Sequence, residues 1–211
     1  YMPEYVDIVT TLHVSTVPDW NEIALWYRDV VYSKLSNDND YEVTDVYNRI
    51  FKGKTMLTAD DKARIIYEYI AANISYSSIS FRQSNIIPQR PSKTISTRLG
   101  DCKDISTLFV ALANLAGLEA NLVLVSTRDN GVREMYLPSF LFNHCIVRYK
   151  GDQGETYYLE VTDRNLPFRC LPYTLYEAMS LTIPALKDKD SGYTLVPIDQ
   201  ANKTDNVLRM Q

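Results

Sequence analysis

One cysteine of this chain has a position that suits nucleophilic catalysis. Cys102 lies in the run GDCKD (residues 100–104), directly before an apolar segment with helical spacing. A cysteine in the first turn of a helix is close to backbone N–H groups that have no intrahelical partner, and this environment favours the thiolate. Cysteines are also often buried core residues, but the small and charged neighbours of Cys102 favour a nucleophile.

A thiolate nucleophile needs a base, and the chain contains two histidines, His13 and His144. His13 lies near the start of the chain on a predicted edge strand. His144 begins a later predicted strand, with Ile146 and Arg148 on its face and Cys145 on the other. An imidazole with apolar neighbours is often a core residue, but a cysteine at a helix start and a histidine on a strand form the pair that Cys–His catalysis uses. His144 is therefore the candidate general base.

A third residue would orient the imidazole. The strand predicted to form a hairpin with that of His144 contains Glu160 and Asp163. Alternation places Glu160 on the face opposite Leu159 and Val161, while Asp163 lies at the strand end. Either acid could instead be a surface carboxylate, so both remain candidates. The backbone N–H of Cys102 and the side chain of Gln83 are candidate oxyanion donors, although a surface role is the alternative for Gln83.

A zinc site is a competing interpretation, because Cys102, His144, Cys145 and Cys170 are all possible ligands. No two cysteines have a C-x-x-C spacing, and the adjacent His144 and Cys145 point to opposite faces of a strand. We therefore expect no metal and no other cofactor.

The composition excludes several classes of protein. The 211 residues include 22 basic and 26 acidic ones, for a net charge of −4, and the basic residues form no arm or cluster. We therefore expect no nucleic-acid partner. No apolar run approaches eighteen residues, so we expect no membrane span. The hydrophobic content of 45% is typical of a folded protein.

The order of the predicted elements, helices first and an antiparallel meander afterwards, indicates an α+β fold. Residues 6–15 alternate like a strand, a helix begins after Asp19, and Thr58 caps a second helix. Residues 75–98 are predicted to be irregular. The buried helix that begins at Cys102 ends before Gly117. Strands are predicted at 119–128, 141–150, 155–163 and 191–200, and a short helix at 171–181.

These motifs together resemble the transglutaminase-like superfamily, which has a papain-like fold. The resemblance rests on GDCKD opening an apolar helix, on Asn143-His144 in a strand, and on YYLEVT at residues 157–162. It extends over about residues 18–181. More specifically, the chain resembles a bacterial branch of this superfamily in which an N-terminal β-rich domain precedes the core. Residues 17–31 resemble the helix that links these two parts. The resemblance implies a nucleophilic cysteine at the start of a buried helix, packed on an antiparallel sheet that carries the histidine and the acid.

By this resemblance Cys102 is the nucleophile and His144 the general base. The third family residue is usually the aspartate of an Asp-x-Thr motif, where this chain has Glu160-Val161-Thr162. Glu160 is therefore expected to complete the triad, with Asp163 as the alternative. The related bacterial proteins are mostly regarded as peptidases or amidases, so the expected reaction is hydrolysis of a peptide or protein amide through a thioester. The alternatives are a cross-linking transglutaminase and a catalytically weak domain that binds peptide or glycan.

Three segments are expected from this resemblance. Residues 1–56 would contain an N-terminal strand and the linker helix, residues 57–181 the catalytic core, and residues 182–211 a C-terminal strand and tail. The resemblance also implies a periplasmic or secreted protein. The sequence makes no prediction of the oligomeric state.

Overall fold

The computed structural model describes residues 5–10, 12–35, 41–77, 86–131, 135–186, 188 and 192–198. The helices are α1 (Tyr5–Ile8), α2 (Trp20–Leu35), α3 (Tyr41–Phe51), α4 (Ala59–Asn73), α5 (Pro91–Thr97) and α6 (Cys102–Leu115), with a 3₁₀ turn at Arg128–Asn130. The strands are β1 (Ser75–Tyr76), β2 (Leu99–Gly100), β3 (Ala120–Ser126), β4 (His144–Lys150), β5 (Thr156–Leu159), β6 (Met179–Thr182) and β7 (Val196–Pro197). The α+β order of elements is confirmed.

The main sheet has five antiparallel strands in the order β5-β4-β3-β6-β7. Strands β4 and β5 form the predicted hairpin. Its turn at residues 151–155 contains Gly154 with φ of +86°, a conformation that glycine adopts without strain. The short strands β1 and β2 pair in parallel immediately before α6. The sheet thereby places the start of β4 close to the start of α6.

Helix α6 is the centre of the core. Its apolar residues contact α3 and α4 in one cluster and α2 in another, and both clusters include residues of β3 or β4. A helix that is apolar on most of its surface is expected to be buried on most sides. Gly117 follows the helix with φ of +63°, the left-handed conformation that ends many helices. The predicted start and end of this helix are confirmed.

The predicted N-caps are also confirmed. The Asp19 carboxylate accepts the N–H of Glu22 at 2.9 Å at the start of α2. Thr58 and Asp61 form a reciprocal capping box at the start of α4. The residues that make these contacts are at most four positions apart, so the sequence alone can predict them.

The strand predicted at residues 6–15 is wrong. The chain forms the single turn α1 and then a segment without regular structure. Leu12 and Val14, two of the alternating apolar residues, are 91% and 79% exposed. Alternation stabilises a strand only when a neighbouring strand pairs with it and its apolar face is buried, and neither condition holds for the part of this segment that the structure describes.

The helix predicted at residues 171–181 is also wrong, because this segment forms turns followed by β6. Residues 179–182 pair with β3 on one side, and the start of β6 pairs with β7 on the other. Glu177 has φ of +60°, which is incompatible with a continuing helix. Ladder hydrogen bonds to a buried central strand therefore determine the local structure in place of the helical spacing.

Besides α1, two helices of the described residues were not predicted. In α3 the apolar residues Val43, Val46 and Ile50 follow helical spacing, and the first two are buried. Helix α5 lies inside the region predicted to be irregular, and Pro91 is its first residue. Proline prevents a helix from continuing through it but suits the first helical position, where no N–H bond is needed.

A pair of leucines on α6 tests the central position of this helix. Leu112 is fully buried and Leu115 is 44% exposed. We expect Leu112→Ala to lower the free energy of unfolding by about 2–5 kcal/mol, because it leaves a cavity in the core. The matched change Leu115→Ala should cost less than about 1 kcal/mol. Urea denaturation of the two variants measures the difference, and equal losses would show that α6 is not the central helix.

Candidate active site

The first turn of α6 positions Cys102. Asp101 is the N-cap, and its Oδ1 accepts the backbone N–H groups of Lys103 and Asp104 at 3.1 and 3.2 Å. Asp104 returns the contact, because its Oδ2 accepts the N–H of Asp101 at 3.1 Å. This reciprocal capping box holds the helix start, so the backbone on both sides of the buried Cys102 is restrained.

The backbone N–H of Cys102 is positioned differently from those of the next two residues. Asp101 occupies the N–H groups of Lys103 and Asp104, whereas no acceptor for the Cys102 N–H is found among the described residues. An N–H at a helix start that has no acceptor can bind an oxyanion. Gln83, the predicted second donor, lies outside the described residues.

His144 is the first residue of β4, where it pairs with Val125 of β3. The preceding Asn143 anchors this strand end. Its backbone N–H bonds the Val125 carbonyl at 3.0 Å, and its side-chain amide exchanges two hydrogen bonds with Thr127, of 2.6 and 2.9 Å. The ring of His144 therefore projects from a strand end that hydrogen bonds hold to Val125 and to Thr127.

Glu160 lies one residue beyond β5 and contacts the imidazole directly. Its Oε2 is 2.7 Å from Nε2 of His144. Its other oxygen, Oε1, accepts the backbone N–H and the hydroxyl of Thr162, at 2.8 and 2.6 Å. The carboxylate is buried, so both of its oxygens are held by protein groups.

The charges of these two groups support each other. Burial opposes the ionised form of Glu160, but the adjacent imidazole and the Thr162 donors outweigh it and lower the pKa of this carboxyl. Burial likewise lowers the pKa of His144, but the Glu160 carboxylate and the Cys102 side chain outweigh it, and the pKa lies well above its usual value. The pair is therefore an imidazolium–carboxylate pair at neutral pH.

Cys102 is also close to the imidazole. Its side chain contributes to raising the pKa of His144. Because Nε2 faces Glu160, the remaining ring nitrogen, Nδ1, is the one available to the thiol. A second contact connects the two elements, since the hydroxyl of Ser106 on α6 donates to the carbonyl of Cys145 on β4 at 3.1 Å. The structure thus brings Cys102, His144 and Glu160 together.

The other predicted site residues lie elsewhere or make other contacts. Asp163 is exposed, and its Oδ1 accepts the N–H of Asn165 at 2.9 Å. His13 lies in the irregular segment before α2. All three cysteines belong to the described residues, and none forms a disulfide. Within the same residues no group of three or more His, Cys, Asp or Glu side chains could hold a metal ion.

A cleft of about 320 Å³ borders His144 and Glu160. Its walls come from the segments around β4, β5 and the turns before β6: Thr127, Asp129, Asn143, Thr162, Asp163, Pro172, Thr174 and Leu175. Cys102 is not part of its lining. Tyr76 of β1 also lies near the site, where burial and the nearby Cys102 raise its pKa to about 12. His144 and Glu160 are therefore the catalytic candidates that face the cleft.

Three residues that support the site were not predicted as such: Ser106, Asn143 and Thr162. Thr162 and Asn143 belong to the motifs on which the resemblance rests, but their bonds to Glu160 and Thr127 depend on the folded geometry. Ser106 has a detectable signal, since a hydroxyl within the apolar stripe of a buried helix needs a partner.

The pair of His144 and Glu160 predicts a pH-dependent stability. The raised pKa of His144 gives a stabilisation that is complete below about pH 6.5 and is lost as the pH rises through the folded-state pKa. The lowered pKa of Glu160 gives a second stabilisation, which is complete above about pH 4.3 and is lost on acidification. Glu160→Gln should therefore lower the free energy of unfolding most between these limits, by about 2 kcal/mol.

Urea denaturation of the wild type and Glu160→Gln from pH 3 to 9 measures this difference. Glu119→Gln is a suitable control, because it removes a half-exposed carboxylate from an exposed ion pair with Lys150. It should change the stability by less than about 1 kcal/mol. A Glu160→Gln effect that is constant across this range would contradict the charged pair.

Comparison with known proteins identifies the family. The model of the transglutaminase-like superfamily matches residues 44–155, a segment that contains Cys102 and His144 and ends before Glu160. No curated protein matches the chain. The described helices include none that is both long and apolar enough to cross a membrane.

Solved structures give matches at low sequence identity. A protein from Parabacteroides distasonis proposed to be a protease matches with a TM-score of 0.61 and 14% identity, over 86% of this chain and 32% of that one. A protein from Cytophaga hutchinsonii proposed to be a cysteine protease matches with a TM-score of 0.43 and 16% identity, over 79% and 62%. A TGase matches with a TM-score of 0.47 and 13% identity, over 82% and 49%.

The chain spans about a third of the length of the Parabacteroides protein, with which it shares its fold. The expected N-terminal β-rich domain and the segment boundaries at residues 56 and 181 stay predictions. The family match covers more than half of the chain and includes the helix of the cysteine and the strand of the histidine. This chain belongs to the transglutaminase-like superfamily.

Proposed function

We propose that this chain is a thiol-dependent amide hydrolase that acts through a thioester. The observation that supports this proposal is the grouping of one imidazole with a thiol and a buried carboxylate: Glu160 lies 2.7 Å from Nε2 of His144, and Cys102 is close enough to raise the pKa of His144. Membership of the transglutaminase-like superfamily agrees with cysteine-dependent amide chemistry. In this proposal Cys102 is the nucleophile, His144 the general acid and base, and Glu160 the residue that orients the ring.

The first half of the reaction forms the acyl-enzyme. His144 holds the proton of Cys102, and the thiolate attacks the carbonyl carbon of the amide. The carbonyl oxygen becomes an oxyanion, which the Cys102 backbone N–H can bind. The carbon–nitrogen bond then breaks, His144 donates the proton to the leaving nitrogen, and a thioester remains on Cys102.

The second half of the reaction releases the acyl group. His144, now neutral, takes a proton from water as the water oxygen attacks the thioester. The carbon–sulfur bond breaks, the product leaves as a carboxylic acid, and the thiolate–imidazolium pair forms again. Glu160 remains ionised throughout and stabilises the imidazolium, as its lowered pKa permits.

The direction of the substrate follows from the position of the base. His144 must protonate the leaving nitrogen, so the amine part of the substrate lies on the histidine side of the site. The cleft of about 320 Å³ borders His144 but not Cys102. We therefore place the leaving amine in this cleft. An amine that binds there in place of water would attack the thioester and form a new amide, which is the cross-linking alternative.

Alkylation tests the reactivity of Cys102. We expect iodoacetamide to modify Cys102 at pH 6–7, well below the range where an ordinary thiol with a pKa of about 8.5 reacts fully. Cys145 and Cys170 are internal controls, and burial raises the pKa of Cys145 well above its usual value. Peptide mapping by mass spectrometry measures all three thiols in one sample. If Cys102 reacts only at the pH of an ordinary thiol, the proposed function is wrong.

Turnover tests the proposed roles. We expect Cys102→Ala to abolish the hydrolysis of a peptide library and His144→Ala to reduce it by about 10²–10⁴-fold, since general-base catalysis contributes that much. His13→Ala, which changes the second histidine of the chain, should retain activity. A parallel assay with a fluorescent primary amine detects transfer to an amine. Predominant amine incorporation would replace hydrolysis with cross-linking, and a reactive thiol without any turnover would favour a binding domain.

A further inference from the structure

A buried lysine lies next to the proposed nucleophile. The side chain of Lys103 is only 2% exposed, and its ammonium group forms an ion pair with the Oδ2 atom of the equally buried Asp101. Lysine is among the residues least often buried, because removing an ammonium group from water is costly unless it is paired. The burial of Lys103 at this position therefore requires a physical explanation.

The two oxygens of Asp101 have different partners. Oδ1 accepts the backbone N–H groups that start α6, and Oδ2 binds the Lys103 ammonium. A second carboxylate, that of Asp104, lies on the same helical turn and is also buried. It accepts the N–H of Asp101 and that of Gln89. Two carboxylates and one ammonium group thus flank Cys102.

The carboxylates create an electrostatic problem for the proposed chemistry. A nearby negative charge disfavours ionisation of a thiol, and burial strengthens the effect. Asp101 precedes Cys102 directly and cannot move away, because it caps the helix. The Lys103 ammonium compensates this charge by binding Oδ2, so Oδ1 still caps the helix.

The other titratable groups that face Cys102 do not replace this compensation. The tyrosines are neutral near pH 7, since burial raises the pKa of Tyr27 well above its usual value and that of Tyr76 to about 12. The Cys145 thiol is neutral for the same reason. The positive charge of His144 is paired with Glu160. Among the described residues, the groups near Cys102 are, by element, Tyr27 of α2, Tyr76 of β1, and His144 and Cys145 of β4, beside Asp101, Lys103 and Asp104 at the start of α6.

We propose that Lys103 is a positioning residue that acts through Asp101: its ammonium neutralises the N-cap carboxylate, so that this carboxylate can hold the start of α6 without opposing the negative charge on Cys102. The inference rests on the proposed role of Cys102 as the nucleophile. It gives a role in the site to a lysine that pairs with the N-cap carboxylate.

The test is the pH dependence of Cys102 alkylation in a set of charge variants. Lys103→Met keeps the length of the side chain and removes its charge. The pH at which alkylation reaches half its maximal rate should rise by about one unit, which is about a tenfold loss of rate on the acidic side. Asp101→Asn combined with Lys103→Met removes both charges and keeps the capping oxygen. Its profile should return to within about 0.3 units of the wild type.

A purely structural role for Lys103 would change stability without moving the pH profile. The matched control is Lys150→Met, which removes a half-exposed lysine from its ion pair with Glu119 and should leave the profile unchanged. Near-UV circular dichroism checks that each variant is folded. If Lys103→Met is folded and its profile does not shift, the inference is overturned.

Lys103→Met leaves a buried carboxylate unpaired and can fail to fold. In that case Asp101→Asn alone is compared with the double variant. The inference expects the single variant, in which Lys103 keeps its charge, to react at lower pH than the double variant, and identical profiles would overturn it. Failure of the proposed function is distinguishable, because the wild-type thiol would then itself react like an ordinary cysteine.

Discussion

The rest of the structure depends on a helix that begins inside the protein. The first turn of α6 places backbone N–H groups and three charged side chains in a region from which water is largely excluded. Each of these groups needs a partner, because an unpaired polar group in such a region is costly. Asp101 is the partner of several of these groups, because it accepts backbone N–H groups and pairs with Lys103. Cys102 can lie at this helix start because the charged groups around it pair with one another and with the backbone.

The sheet then brings His144 to the helix. Helix α6 packs on β4 and β3, and the Ser106 hydroxyl fixes it against the backbone of β4 next to His144. The hairpin of β4 and β5 returns the chain, so that Glu160 reaches a histidine sixteen residues earlier in the sequence. Antiparallel register and helix packing thus determine the distances in the site. Each of its three residues lies at or next to an element end, and the cleft borders two of them, His144 and Glu160.

The glutamate in place of the usual aspartate is accommodated by the backbone. Glu160 lies just past the last paired residue of β5, and its longer side chain still places one oxygen 2.7 Å from His144. Thr162 holds the other oxygen through two hydrogen bonds and so restricts the extra rotatable bond. The motif thus keeps its threonine while it changes its acid. The carboxylate is buried and its pKa is lowered, so it stays ionised and can stabilise an imidazolium.

The sequence by itself determined the elements whose signals are local. The start and end of α6 and the hairpin of β4 and β5 follow from spacing, caps and glycine, which act over a few residues. It also indicated Cys102 and His144, because a cysteine at a helix start and a histidine on a strand are recognisable types. Only the tertiary structure decided the remainder. Whether residues 6–15 form a strand depends on a partner strand, and whether Glu160 or Asp163 meets the imidazole depends on where the strand ends. The same holds for Lys103, since a lysine in a run of charges is expected on the surface until packing encloses it with its partner.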